Sequence, residues 1–303
     1  MEKRFAIGMD IGGSHITAAI IDLNDMKVVE GSVSKVSFDS NLPVKVVMDF
    51  WENAIRSLCE KTQVEKLSGI AMAIPGPFDY GNGTCWIKDQ NKYDNFYGLN
   101  IKDLLRERFD FNQDFPIVFE NDAISFGKGE VYKNTENLSK KVMAITLGTG
   151  LGSCFIENGK IVNSGEKVPR SGEIWDHPYQ NGIAEDSISL RGLLSNYHDL
   201  SDIQLNKGIE LYHLANDGDE KAIKSFNKFG EDLAEVVIPW LKSFNADMLV
   251  IGGKLANAGD LFLNVFREKA KNAGIEIELV ISSDNETAAL LGVATLLYEV
   301  NVQ

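Results

Sequence analysis

The chain has 303 residues, enough for one large domain or two modest ones, and its 44% hydrophobic and 24% charged residues suit a globular fold with a sizeable core. A formal net charge of −14 argues against a nucleic-acid partner, which needs a basic patch. No apolar run reaches the length of a membrane span, and MEKRF runs straight into a strand-like segment with no room for a signal peptide. The three cysteines, Cys59, Cys85 and Cys154, are far apart and odd in number, which points to a reducing cytoplasm rather than a disulfide framework.

In chain order, FAIGMDIG and ITAAIID predict two strands paired across a glycine turn, with VVEGSVSKVSF as a third antiparallel strand. PVKVVMDFWENAIRSLCEK then places Val47, Phe50, Trp51, Ala54, Ile55 and Leu58 on one helical face. LSGIAMAIPGP reads as a buried strand ended by a Pro-Gly-Pro break. IKDLLRERF predicts a short helix, PIVFEND a strand and AISFGKGEVY a helix. KVMAITL runs as a strand into GTGLGS and out through CFIEN, and Asn158-Gly159 turns it back into KIVN. MLVIGG predicts another strand before a helix, and NETAALLGVATLLYEV a final apolar helix. Trp51 and Trp240 lie among apolar neighbours and read as core, while NDGDE at 216–220 reads as a helix-entry loop.

Glycine pairs at strand ends carry the functional signal. The pair in DIGGS has two readings. Glycine reaches positive φ cheaply and so makes tight turns, but it also lets backbone N–H groups approach an anion closely. The arrangement of strand, glycine loop and strand recurs in LGTGLGS at 147–153, and VIGGKLANAG at 250–259 supplies a third loop. Two hairpin loops can grip phosphates and the third can lie against a nucleoside. Between the first two stands ENDA, whose Asp122 falls where a strand ends and a helix begins. That is a place for an N-cap or, beside phosphate loops, for a general base.

DIGGS and LGTGLGS, with ENDA between them and VIGG after them, resemble the loops of the sugar-kinase, heat-shock-protein and actin superfamily. Within it, AIPGPFD, ENDAISFGKGE, SGEI and ALLGVATL, in this order, resemble the ROK family of bacterial sugar kinases and repressors over essentially the whole chain. The resemblance implies an α/β, two-lobed ribonuclease-H-like (actin-like ATPase) fold with a nucleotide cleft between lobes. Residues 1–122 and a C-terminal helix, 286–303, would form the N-terminal lobe, and 123–285 the C-terminal lobe. It implies ATP and Mg²⁺ as cofactors and a homodimer. It makes Asp122 the general base, sets Asn121 on a sugar hydroxyl and faces Asp10 toward Mg²⁺ through water. Gly12, Gly13, Ser14, Gly148, Thr149, Gly150, Gly252 and Gly253 would surround the nucleotide. Asn91, in KDQNKYDNFYG, matches an asparagine that reaches the sugar in similar kinases, although asparagine in a polar loop also serves as turn chemistry.

SGEIWDHPYQNGIAEDS at 171–187 departs from the family pattern of Glu-x-x-His, a cysteine-rich zinc loop and a second glutamate. Glu173 and Glu185 fit the glutamates, and two acceptors suit vicinal sugar hydroxyls. Asp176 stands where the histidine is expected and His177 follows it, so His177 is either a sugar contact or a loop residue. No cysteine occurs after Cys154, which excludes a zinc site of Cys₃His type here. The expected function is an ATP-dependent kinase phosphorylating the 6-hydroxyl of glucose or a related hexose. N-acetylmannosamine and N-acetylglucosamine are the alternative substrates. The rival from another class is a sugar-responsive transcriptional regulator lacking its DNA-binding domain, since such regulators carry a helix-turn-helix ahead of the segment that DIGGS resembles. A catalytically inactive sugar binder is opposed by the presence of Asp10, Asn121 and Asp122.

Overall fold

The computed structural model describes residues 5–62, 64 and 66–302, the last four without their side chains. The chain divides into two compact units, residues up to 135 together with 286 onward, and residues 136–285.

The first unit opens with the hairpin of β1 (Phe5–Ile11) and β2 (His15–Asp22), followed by β3 (Lys27–Val28), β4 (Ser34–Ser37) and α1 (Val44–Thr62). After them come β5 (Leu67–Ala73), the ribbon of β6 (Phe78–Asp79) and β7 (Thr84–Cys85), α2 (Ile101–Phe109), β8 (Ile117–Glu120) and α3 (Asp122–Tyr132). The sheet runs β3-β2-β1-β5-β8, with β4 also on β2, and its β1, β5 and β8 are parallel. The single third strand expected from VVEGSVSKVSF is thus two short ones. Buried Ser32 stands between them and satisfies Ile20 and Val29 with its own hydroxyl, so a side chain replaces part of the ladder.

α1 buries Val47, Met48, Trp51, Ala54, Ile55 and Leu58. Met48 takes the place expected for Phe50, which sits about a quarter-turn off the stripe, half-buried and stacked on Phe38. Trp51 is wholly buried, stacked on Phe96 with ring centroids 5.8 Å apart.

The second unit repeats the plan. β9 (Lys141–Leu147) and β10 (Leu151–Glu157) form a hairpin across the second glycine loop, and β11 (Lys160–Ile161) adds to β10. Asn158 and Gly159 both take positive φ there, 53° and 72°, as a two-residue hairpin turn requires. The small hairpin of β12 (Pro178–Tyr179) and β13 (Gly182–Ile183) leads into α4 (Ala184–Ser187), α5 (Leu190–Ser201), α6 (Gly208–Asn216) and the long α7 (Glu220–Phe244). Asp219 caps α7 by accepting from the Ala222 N–H, so NDGDE is a helix entry as read. β14 (Met248–Gly252), α8 (Gly259–Asn272) and β15 (Glu278–Ile281) complete the unit, with sheet order β11-β10-β9-β14-β15.

The last helix, α9 (Asn285–Val302), packs in the first unit, where Leu290, Leu291, Val293, Ala294 and Leu297 lie against Ala6, Ala19, Ala71 and Ala73. Small residues on that face of the sheet let the helix come close. α3 belongs to the first unit as well, so the division falls after residue 135 and not after 122 as expected. The reason is a glycine-lined contact with α9: a Cβ on Gly129 would lie 1.8 Å from the Ala288 carbonyl oxygen, and one on Gly292 1.7 Å from that of Ser125. Among the described residues, no helix is long and apolar enough to cross a membrane.

Candidate active site

In the first unit the tip of the β1–β2 hairpin is tied down through its carbonyls. Tyr93 donates its hydroxyl to the Gly12 oxygen (2.6 Å), Ser40 N–H to Gly13 (3.3 Å) and Phe38 N–H to Ser14 (3.0 Å). The Gly12 N–H is spent on the His15 carbonyl (2.9 Å), whereas the N–H groups of Gly13 and Ser14 meet no acceptor among the described residues. Neither Gly12 nor Gly13 takes positive φ, so the pair turns the hairpin without the conformation that favours glycine. A Cβ on Gly13 would make only ordinary contact, with Lys92 at 3.5 Å. What the missing side chain leaves there is room outside the chain. Buried Tyr93 owes its position to Trp51, Phe96 and Phe38, whose ring centroids lie 6.2, 5.7 and 6.4 Å away. The aromatic core thereby sets the loop.

Beside this tip stand two carboxylates. Asp10 is near the end of β1, and Asp122 is the first residue of α3. The capping place is filled by Asn121, whose Oδ1 accepts from the N–H groups of Ala123 (2.9 Å) and Ile124 (3.2 Å). Its Nδ2 donates to the Tyr80 hydroxyl at 3.3 Å. Asp122 is therefore not consumed as a cap; it accepts from Ala123 N–H (2.9 Å) and remains accessible to solvent. Desolvation by the surrounding protein raises its carboxyl, and the Ala123 N–H and the Lys92 charge oppose the shift. Asp10 is pushed up to about 7, by burial first, then by the charges of Asp122 and Glu286, with Lys35 opposing.

Sequence reasoning missed Glu286 and Lys35. At the start of α9, Glu286 accepts from the Thr17 hydroxyl (3.2 Å), pairs with Lys35 and lies 3.9 Å from His15 Nε2. Their separation along the chain hides the grouping, and no local pattern signals it. Asn91 is exposed at φ 55°, its carbonyl held by the Asn41 amide (3.1 Å) and its side chain without a hydrogen bond among the described residues.

The Asp10 shift has a measurable consequence. A carboxyl held near 7 when folded and near 4 when unfolded binds a proton on folding between those values, so it costs stability above pH 7 and nothing below about pH 4. Asp10→Asn should raise stability at pH 8 by about 1–2 kcal/mol after allowance for solvent screening, and this gain should shrink as pH falls from 7 to 4. Thermal melts of both proteins across that range are the check; a difference independent of pH contradicts it.

In the second unit the loop after β9 has the same economy. Gly148 N–H bonds to the Gly150 oxygen (3.0 Å) and Leu190 N–H to the Gly148 oxygen (2.8 Å), while the N–H groups of Thr149 and Gly150 meet no acceptor among the described residues. A Cβ on Gly148 would have nothing within 4 Å. Glu185 braces the loop: its Oε2 accepts from Leu151 N–H (3.0 Å), and a Cβ on Gly150 would come within 2.5 Å of that oxygen. Its Oε1 lies 3.8 Å from Arg191. Glu173 accepts from the Trp175 indole (3.2 Å), Asp176 is exposed, and the His177 ring meets Trp240 edge-on at 5.7 Å. Gly252 ends β14. Gly253, at φ 86°, would place a Cβ 2.2 Å from the Leu147 oxygen, and its N–H donates to Asn285 Oδ1 (3.0 Å). The third loop therefore abuts the strand that feeds the second. A hollow of about 560 Å³ opens beside Thr149, lined by Leu190, Arg191, Leu194, Ser195 and His198 among others.

Where the family pattern has its zinc loop, the β12–β13 hairpin is pinned to α7. The Tyr179 hydroxyl lies 2.6 Å from Asp232 Oδ1 and 2.8 Å from Glu235 Oε2, and Gln180 and Lys228 also bond Asp232. Among the described residues no group of three His, Cys, Asp or Glu can hold a metal ion. Chelator treatment should leave the melting temperature unchanged, whereas Tyr179→Phe should cost about 1–3 kcal/mol through the lost hydrogen bonds to charged groups. A melt lowered by chelation and restored by zinc contradicts this account.

Two sheets of repeated plan, each opening on a hairpin with a glycine loop, define the actin-like two-domain α/β fold. Residues 6–300 match the ROK family, and the chain belongs to it. It is 24% identical to a glucokinase of Thermotoga maritima, over 99% of both chains. It is 27% identical to an N-acetyl-D-glucosamine kinase of Haemophilus influenzae, over 84% of this chain and 86% of the relative. A solved structure, a ROK glucokinase of Streptomyces griseus in complex with glucose and AMPPNP, superposes with a TM-score of 0.70 at 22% identity, over 96% of this chain and 98% of that one.

Proposed function

We propose that this protein is an ATP-dependent sugar kinase that transfers a phosphoryl group to the 6-hydroxyl of glucose or a related hexose. The observation that carries the reading is that each unit has a glycine loop with N–H groups that meet no acceptor among the described residues, Gly13 and Ser14 in the first and Thr149 and Gly150 in the second, with Asp122 left free of the α3 cap. Backbone donors of this kind suit phosphate oxygens. Bound ATP supplies the phosphoryl group, and Mg²⁺ neutralises its charge. The fit to a cation is chemical: Asp10 is an oxygen donor, and the neighbouring charges of Asp122 and Glu286 that raise its carboxyl are what a cation relieves. Mg²⁺ is commonly held by one or two carboxylates together with water and phosphate, as the water-mediated role of Asp10 requires.

In this reading Asp122 accepts the proton of the attacking hydroxyl, and the Asn121 amide steadies a neighbouring hydroxyl. Asn91, Glu173, Glu185, Asp176 and His177 are the remaining candidates for the sugar. Glu185 acts with one oxygen, because the other is bound to the loop. The free cysteines fit a cytoplasmic enzyme. N-acetylglucosamine and N-acetylmannosamine stay in view, since a relative carries the first in its name. A sugar-responsive regulator is the reading of another class, and turnover separates the two. The test is ADP release with glucose, mannose, N-acetylglucosamine and N-acetylmannosamine, with 6-deoxyglucose as the control. Turnover with at least one of the four, and none with the 6-deoxy sugar, is expected. ADP release no greater than without sugar for all four overturns the reading.

A further inference from the structure

We propose that Lys92 contacts the phosphoryl group during transfer and is a further catalytic residue of this site. The inference rests on the kinase reading and deepens it. Lys92 lies in the loop before α2, and its stem runs alongside the first glycine loop: a Cβ on Gly13 would meet Lys92 Cβ at 3.5 Å and Cδ at 3.7 Å. The side chain thus passes Gly13, whose N–H meets no acceptor among the described residues.

The segment is built to hold it there. Asp89, Asn91 and Tyr93 all take left-handed φ, at 58°, 55° and 57°, which aspartate and asparagine tolerate but which a tyrosine holds only where its surroundings fix it. Here the fixings are the Tyr93 hydroxyl on the Gly12 carbonyl and the Asn41 amide on the Asn91 carbonyl. Tyr93 is buried in the aromatic core, so the residue next to Lys92 is anchored both to that core and to the phosphate loop.

Lys92 is also unclaimed. Among the described residues no carboxylate lies within 4.0 Å of its ammonium, in a chain with 44 acidic and 30 basic side chains. Its charge is felt at Asp122 nonetheless, where it opposes the upward shift of the carboxyl. A half-buried cation near the base and beside the anion-binding donors is placed where charge on the transferring phosphoryl oxygens needs a partner. A cation aimed at charge in transfer acts mainly on kcat, and sugar KM reports little of it.

Lys92→Met keeps the stem and removes the charge, and Lys92→Arg restores a charge. Lys92→Met should lower kcat by about 100-fold with sugar KM within threefold of the parent, and Lys92→Arg should recover at least tenfold of that loss. Binding of Mg-AMPPNP should weaken about tenfold in Lys92→Met, read by calorimetry with melts confirming the fold. If Lys92→Met destabilises the protein, Lys92→Gln is read in its place. A kcat within about threefold of the parent overturns the proposal while leaving the kinase reading intact. If the parent phosphorylates no sugar, the kinase reading falls and the binding measurement decides: weakened Mg-AMPPNP binding still places Lys92 on the terminal phosphate, and unchanged binding overturns that too.

Discussion

Asp122→Asn is expected to lower kcat by about 10²–10⁴-fold while Mg-AMPPNP and sugar binding change little. An amide is nearly the size of the carboxylate and keeps its hydrogen bond from Ala123, but it cannot take the hydroxyl proton. The helix itself should survive because Asn121, not Asp122, caps it. That division of labour gives a control: Asn121→Ala should cost about 1 kcal/mol of stability, a loss that Asp122→Asn does not share. The raised carboxyl of Asp122 adds a pH signature. A base must be ionised to act, so the parent's kcat/KM should fall on the acid side at a pH above the ordinary carboxylate range. Activity of Asp122→Asn within about threefold of the parent contradicts the assignment.

The largest effect on stability is expected at the α3–α9 crossing. Gly292→Ala would drive a methyl group to 1.7 Å from the Ser125 oxygen, and Gly129→Ala one to 1.8 Å from the Ala288 oxygen. Both obstacles are helix backbone, which cannot swing aside as a side chain can. Either substitution must part the helices, at a cost of about 3 kcal/mol or more and a melting temperature lower by roughly 10 °C. α9 also carries Glu286, so the contacts with Thr17 and Lys35 beside Asp10 should loosen with it. Gly148→Ala is the contrasting case. With open space around its Cβ and no positive φ, it should leave the melt unchanged yet weaken nucleotide binding by filling the room that the glycine leaves. A Gly292→Ala protein melting within about 2 °C of the parent contradicts the packing account.

Much of both units is legible in the sequence where the signals are local. FAIGMDIG and ITAAIID announce their hairpin by burial pattern, Asn158-Gly159 announces a primed turn, and the α1 stripe differs only in exchanging Phe50 for Met48. The glycine loops are legible as loops, but their physical reasons are not alike. Gly148 leaves open room, Gly12 makes way for His15 and Gly150 for Glu185, and Gly253 clears the Leu147 backbone. One residue type thus hides three different causes, and only neighbours distant in the chain tell them apart. The Asn121 cap is local, yet ENDA offers two adjacent side chains able to cap, and the choice between them needs coordinates. Ser32 splits a strand that patterning reads as continuous, since a hydroxyl in place of ladder bonds has no periodic trace. Glu286, Lys35 and the Tyr179–Asp232 contact join segments far apart, and nothing in either segment names the other.

The proposed reaction moves a phosphoryl group from ATP to a sugar carbon-6 oxygen. Phosphorus NMR of a reaction with Mg-ATP and the best sugar of the panel tests it most directly. The account predicts one new phosphomonoester signal, coupled to the two C6 protons of the sugar, growing in step with ADP. Orthophosphate growing in its place, with no sugar ester formed, would contradict it.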